Sequence, residues 1–114
     1  MNGLERFVAD LSVLGRECER RNGLAVVTLD VERPDLVGPL QVGADPPNEF
    51  PNLPPHWLHA PRQLVIPGGK PHPSELGPDW LKWSRTHPNW KGGANGARLW
   101  LAHARSLVLT ATKV

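Results

Sequence analysis

Eleven of the thirteen prolines lie between Pro46 and Pro88, and the flanks are almost free of them. Proline fixes φ and removes a backbone donor, so it is unwelcome in helix interiors and central strands. The distribution divides the chain into a regular start, an irregular middle and a regular end. The 114 residues leave room for one domain. With 39% apolar and 21% charged residues the chain can bury a core and is not a disordered tail. Its single cysteine, Cys18, excludes a disulfide framework and a cysteine-based zinc cage, and fits a reducing cytoplasm. No apolar run approaches the roughly 20 residues of a membrane span. Acids among the first apolar residues argue against a signal peptide.

The spacing of Leu4, Phe7, Val8, Leu11 and Leu14 predicts a helix over 4–21, stopped by Asn22-Gly23, with Cys18 on its apolar stripe. Alternation of Val27, Leu29 and Val31 with polar residues predicts a strand over 24–33, ended by Pro34. A second strand is expected over 36–42, placed at an edge or bulge by Pro39. Two short strands follow at 56–59 and 63–66, then a Pro- and Trp-rich loop over 67–91. Ala97, Trp100, Leu101, Ala104, Leu107, Val108 and Ala111 mark a terminal helix over 95–112, with Asn95 as its N-cap. The expected class is α+β: helix, small antiparallel meander of three or four strands, long loop, helix.

Charge is divided as well. Residues 1–57 carry five basic and nine acidic side chains; residues 58–114 carry eight and two. A basic half can attract an acidic protein surface or a polyanion, or be an ordinary solvated face.

Catalytic signals are sparse. Cys18, on a buried stripe, reads as a small hydrophobe rather than a nucleophile. His56 and His59 form H-x-x-H, but on a strand positions three apart face opposite ways, and zinc wants three or four converging ligands. Ser74, Ser84 and Ser106 sit in no G-x-S-x-G elbow. Gly92-Gly93-Ala94-Asn95-Gly96 opens a helix but lacks the strand and G-K-[ST] of a phosphate loop. No cofactor or metal is expected.

The tryptophans carry more information. Trp80, Trp83 and Trp90 fall within eleven positions, interleaved with Lys82, Arg85 and Lys91. Rings so placed can anchor a loop to the core, form a protein-binding face, or stack on single-stranded nucleic acid. Anchoring is the expected role for at least two of the three.

At residues 50–57, Phe-Pro-Asn-Leu-Pro-Pro-His-Trp, the sequence resembles the ubiquitin-conjugating-enzyme fold, where an aromatic-Pro turn precedes Pro-Pro and a strand. It is most similar to a bacterial branch, the prokaryotic ubiquitin-conjugating-like family E. The matching positions are Phe50, Pro51, Pro54, Pro55 and Trp57, then Pro67-Gly68-Gly69. Gly77, Trp80, Trp83, Ser84 and Arg85 follow, with His87 one residue late, and finally Trp90. The resemblance spans roughly residues 24–110 and implies a single, minimal domain over 1–114, without the further C-terminal helices of larger members.

In catalytic members the active cysteine lies in this loop, after a Gly and before a Leu. Gly77-Pro78-Asp79-Trp80-Leu81 places Trp80 there, so the resemblance implies a non-catalytic protein. His87-Pro88-Asn89 copies the superfamily's His-Pro-Asn motif, but far downstream of Pro55 and after Trp80, which reads as coincidence. The implied partners are a ubiquitin-like protein and/or its activating enzyme, with a JAB-type isopeptidase in the same pathway, in a bacterial modification system tied to antiphage defence. Trp80, Trp83, Ser84, Arg85, His87 and Trp90 are the candidate partner-binding residues. Two alternatives compete: a transferase using Cys18, His87 or another residue, and a nucleic-acid or polyanion binder. No membrane partner is expected.

Overall fold

The computed structural model describes residues 1–36 and 39–114. Helix α1 spans Gly3–Val13 and starts from a capping box: Asn2 Oδ1 accepts from the Glu5 amide at 2.8 Å, and Glu5 Oε1 accepts from the Asn2 amide at 3.2 Å. It buries Phe7 and Leu11. The helix is shorter than the 4–21 its stripe suggests. Gly15, at φ +75°, ends it in a Schellman motif, with Gly15 N–H donating to the Ser12 carbonyl and Arg16 N–H to that of Leu11.

The chain then turns into strand β1 (Cys18–Arg21), so Cys18 lies on an edge strand and not on a helix. Asn22 and Gly23 stop no helix. They are the two-residue loop joining β1 to β2 (Leu24–Leu29), with φ of 51° and 79°. Positive φ at both central positions is what a type I′ hairpin needs, and Asn-Gly supplies it at least cost.

Strands β3 (Leu40–Ala44) and β4 (Trp57–Pro61) complete an antiparallel meander. Val37 and Gly38, part of the expected second strand, lie outside the described residues. Pro39 precedes β3, which is interior, between β2 and β4, rather than an edge strand. Strand β5 (Leu64–Val65) pairs with β8 (Thr112–Lys113) in a separate two-stranded ladder.

The expected 67–91 loop is the largest departure. It contains β6 (His72–Pro73) and β7 (Trp80–Ser84), and β7 pairs with β4 along five residues. Among the described residues the main sheet thus has six antiparallel strands in the order β1-β2-β3-β4-β7-β6. A single 3₁₀ turn (Gly93–Asn95) leads into α2 (Gly96–Thr110), and the Asn95 side chain makes no capping bond. The class is α+β as expected, with more sheet than the sequence suggested.

One sheet face packs on both helices. Ala25, Val27, Leu29, Val42, Ala44, Leu58 and Trp83 meet Phe7, Leu11, Trp100, Ala104 and Val108 there. Phe50 enters from the turn before β4, 5.2 Å from Phe7, which in turn meets Trp100 at 5.5 Å, both edge to face.

Arg33 closes the far end. Its Nη1 donates to the Val108 and Ala111 carbonyls at 2.9 and 2.6 Å, and its Nε and Nη2 hold Asp35 in a bidentate pair. These carbonyls sit at the negative end of the α2 dipole, where a cation is favoured. The guanidinium holds the exposed Asp35 carboxyl below its ordinary range. Arg33→Met should lower unfolding stability by about 1.5–3 kcal/mol, the range for charge-assisted hydrogen bonds. Urea unfolding checks it; a loss under about 0.5 kcal/mol would mean that the cap contributes no more than a surface contact.

Candidate functional site

Register sorts the residues around β7. Trp57 pairs with Ser84, His59 with Lys82 and Pro61 with Trp80, so these side chains share the face away from the helices. Leu58 and Trp83 share the other. Trp83 is 1% exposed and belongs to the core, so it is not available to a partner. The six candidate positions therefore divide.

Arg85, His87 and Trp90 gather on the side of α2. The Trp90 indole N–H donates to the Pro51 carbonyl at 2.9 Å, and its ring lies 6.1 Å from Phe50. His87 packs on Trp90 at 5.7 Å and on His103 at 5.1 Å. His87 Nδ1 also accepts the Asn89 amide, so His87-Pro88-Asn89 forms a local turn. Arg85 donates to the Pro67 carbonyl, and its guanidinium closes over Gly69, where an added Cβ would come within 2.7 Å of it. These three side chains anchor the loop. The motif Phe50-Pro51 and the later Trp90 are one packing unit, which their separation of forty positions concealed.

Trp80 and Ser84 belong to the opposite face, with Trp57. That face is crossed by the segment between β6 and β7. Leu76 lies over Gly43, where an added Cβ would approach its Cδ1 to 2.9 Å. Asn22 Nδ2 donates to the Glu75 carbonyl at 2.7 Å, and Arg21 lies 5.5 Å from the Trp80 ring. The segment is a strap from the β6–β7 end of the sheet to the β1–β2 hairpin.

Beneath the strap lies a polar cluster. His59 is fully buried, with Nδ1 2.8 Å from Ser74 Oγ, which also accepts the Leu76 amide. His59 Nε2 has no hydrogen-bond partner among the described residues; Glu75 Oε2 stands 3.9 Å away. Glu75 Oε1 pairs with Lys82 Nζ at 2.6 Å. Asp45 Oδ1 accepts the Trp57 amide at 3.2 Å. Burial pushes His59 down to about 4, and pushes Asp45 up to about 6. The Lys82 hydrogen bond holds Glu75 below its ordinary range. The single-sequence signal for His59 was its place in H-x-x-H, whose zinc reading distracted from a buried hydrogen bond to Ser74.

Outside the strap Trp57 is surrounded rather than covered. His56 and His72 meet its ring edge to face at 5.0 and 5.2 Å, and Lys82 Nζ sits 4.7 Å from its centroid. Exposed His56 bridges two hydroxyls, with Ser84 Oγ at 2.7 Å from Nε2 and Thr86 Oγ1 at 2.7 Å from Nδ1. A serine beside an imidazole is half of a nucleophilic site. The other half is an oriented carboxylate and free amides for an oxyanion. Here the third group is a hydroxyl, and the neighbouring Arg85 amide is spent on the His56 carbonyl. Burial raises the Cys18 thiol, which reduces its thiolate. Among the described residues no three His, Cys, Asp or Glu side chains gather as a metal site, and no helix is long and apolar enough to cross a membrane.

Comparison with family models, curated proteins and solved structures gives no match.

His59 and Asp45 pull stability in opposite directions. As pH falls from 6.5 to about 4, the unfolded chain takes up a histidine proton that folded His59 refuses, and stability is lost. As pH falls from about 6 to 3.8, folded Asp45 takes up a proton before the unfolded chain does, and stability is gained. Between about 4 and 6 the two slopes offset. Asp45→Asn removes the second, so the variant should lose stability relative to wild type as pH falls across that window, by less than the full ~1.4 kcal/mol per pH unit because the carboxyl is only partly buried. Urea unfolding at several pH values tests this; parallel profiles for the two proteins would contradict it.

Proposed function

We propose that the chain is a non-catalytic, ubiquitin-conjugating-like binding protein of a bacterial ubiquitin-like modification system. It binds the ubiquitin-like protein and/or its activating enzyme, in a pathway that also holds a JAB-type isopeptidase and serves antiphage defence. The observation that carries this reading is the placement of the 50–57 motif. It leads from the third into the fourth strand of an antiparallel meander that follows one helix, and packs through Phe50 onto Phe7 of that helix and onto Gly96 at the start of the next. Helix, meander, aromatic-Pro turn and helix is the order the resemblance implies.

The adaptor role rests on the missing chemistry. Trp80 occupies the position aligned with the active cysteine, and Cys18 lies on the opposite edge strand of the sheet. Partner contact is assigned to the outer part of the Trp57 face, with Trp80 and Ser84, because a partly buried Trp flanked by cationic and hydrogen-bonding groups suits an interface hot spot.

Calorimetric titration with any ubiquitin-like protein encoded beside this chain, and with its activating enzyme, tests the reading. One of them should bind. Trp57→Ala should weaken that binding about tenfold or more, and Cys18→Ser should leave it unchanged. Absence of binding to either protein would overturn the adaptor role. A thiol-reducible adduct lost in Cys18→Ser would establish the transferase instead.

A further inference from the structure

A second surface lies on the helix side, away from Trp57. Helix α2 buries Ala97, Trp100, Ala104 and Val108. A neighbouring stripe, Arg98, Leu101, Arg105 and Leu109, repeats at three and four; Arg98, Arg105 and Leu109 are exposed, and Leu101 is half-buried against the core. This stripe forms one wall of a groove whose other wall is Leu14, Arg16 and the end of β2. The groove consists of two clefts of ≈ 370 and ≈ 410 Å³ that share Leu29, Asp30 and Arg105. From Arg98 to Leu109 it runs about 16 Å along the helix.

Its chemistry is uneven in a useful way. Half-buried Leu14 and Leu101, with buried Leu29 beneath them, supply the apolar floor at the Arg98 end, and Leu109 is 45% exposed at the other. Asp30 is held by Arg16 at 2.7 Å. Arg98 and Arg105 are exposed, and among the described residues neither meets a carboxylate. The remaining acid, Glu32, lines the Leu109 end. The groove is therefore cationic at one end, with an apolar floor, and closer to neutral at the other.

We infer that this groove is a docking site for an acidic peptide segment of another protein, anchored by a bulky apolar side chain. The anchor enters between Leu14, Leu29 and Leu101, and the segment's carboxylates meet Arg98 and Arg105. Charge complementarity selects acids, since two unpaired guanidinium groups flank the apolar floor and offer bidentate recognition of carboxylates. Among the described residues the lining holds no aromatic side chain. Nucleic acid, which gains from base stacking on aromatic rings, is thereby disfavoured as the occupant. The site also gives a use to part of the positive charge in residues 58–114, which the Trp57 face leaves unexplained. It does not depend on the ubiquitin-like reading, because its residues and the Trp57 face are disjoint.

Selection of a phage-displayed library of random dodecapeptides on the full chain tests the site. The enriched sequences should combine Asp or Glu with a Leu, Ile, Met or Phe. A fluorescein-labelled peptide of that consensus should bind with an affinity that falls as salt is raised. Arg98→Glu with Arg105→Glu should weaken it about tenfold or more, and Leu109→Ser should weaken it less. All three side chains are exposed, so the variants should keep the wild-type unfolding midpoint, and Trp57→Ala should leave peptide binding intact. Failure to enrich any peptide, a basic or purely polar consensus, affinity unchanged by the double charge reversal, or displacement of the peptide by oligo-dT at equal or lower concentration would each overturn the proposal.

Discussion

The edge-to-face contact between Phe50 and Phe7 joins parts of the chain that are otherwise far apart. Phe50 reaches α1 through Phe7, the loop after β7 through Trp90, and the start of α2 through Gly96. At Gly96 an added Cβ would stand 3.1 Å from the Phe50 ring, and at Gly92 one would stand 2.7 Å from the Pro51 carbonyl. Both glycines are where the backbone of the α2 approach must come close. The long Pro-rich middle therefore needs little regular structure of its own. Its ends are fixed by one aromatic junction, and large rings bury much area with few side-chain torsions to order.

That junction separates the packed side chains of the loop from the exposed face around Trp57. Trp90, His87 and Arg85 turn inward and hold the loop, and Trp83 fills the core. Trp57, Trp80 and Ser84 remain on the far face, where the 74–79 strap covers the centre of the sheet and leaves its rim open. The buried group under the strap, His59, is satisfied on one nitrogen by Ser74 and shares its field with Glu75 and Lys82. A polar cluster of this kind fixes where the strap lies. It gives the exposed side chains around Trp57 a defined scaffold.

Much of this was legible in the residues, and the failures have identifiable causes. The α1 stripe located the helix, but Leu14 and Cys18 extended the period past its end. Gly15 was the true stop. Asn22-Gly23 sat between two β-capable runs and was a hairpin signal; a helix expected to its left disguised it. Strand β7 was hidden because Trp80-Leu81-Lys82-Trp83-Ser84 is bracketed by prolines and rings that suggest a loop, although alternation of inward Trp83 with outward Lys82 and Ser84 is a strand pattern. The terminal helix was placed within two residues at either end. Of the site, the residues were visible but their sorting was not, because which face a side chain takes follows from register, and register depends on long-range pairing.

The most direct measurement is the unfolding free energy of Phe50→Ala, followed by tryptophan fluorescence in urea. A ring that joins both helices and the loop should cost about 3–5 kcal/mol when removed, within one cooperative transition that involves the whole chain. A loss below about 1 kcal/mol, with the native emission preserved, would show that α2 and the loop are held by something other than this junction.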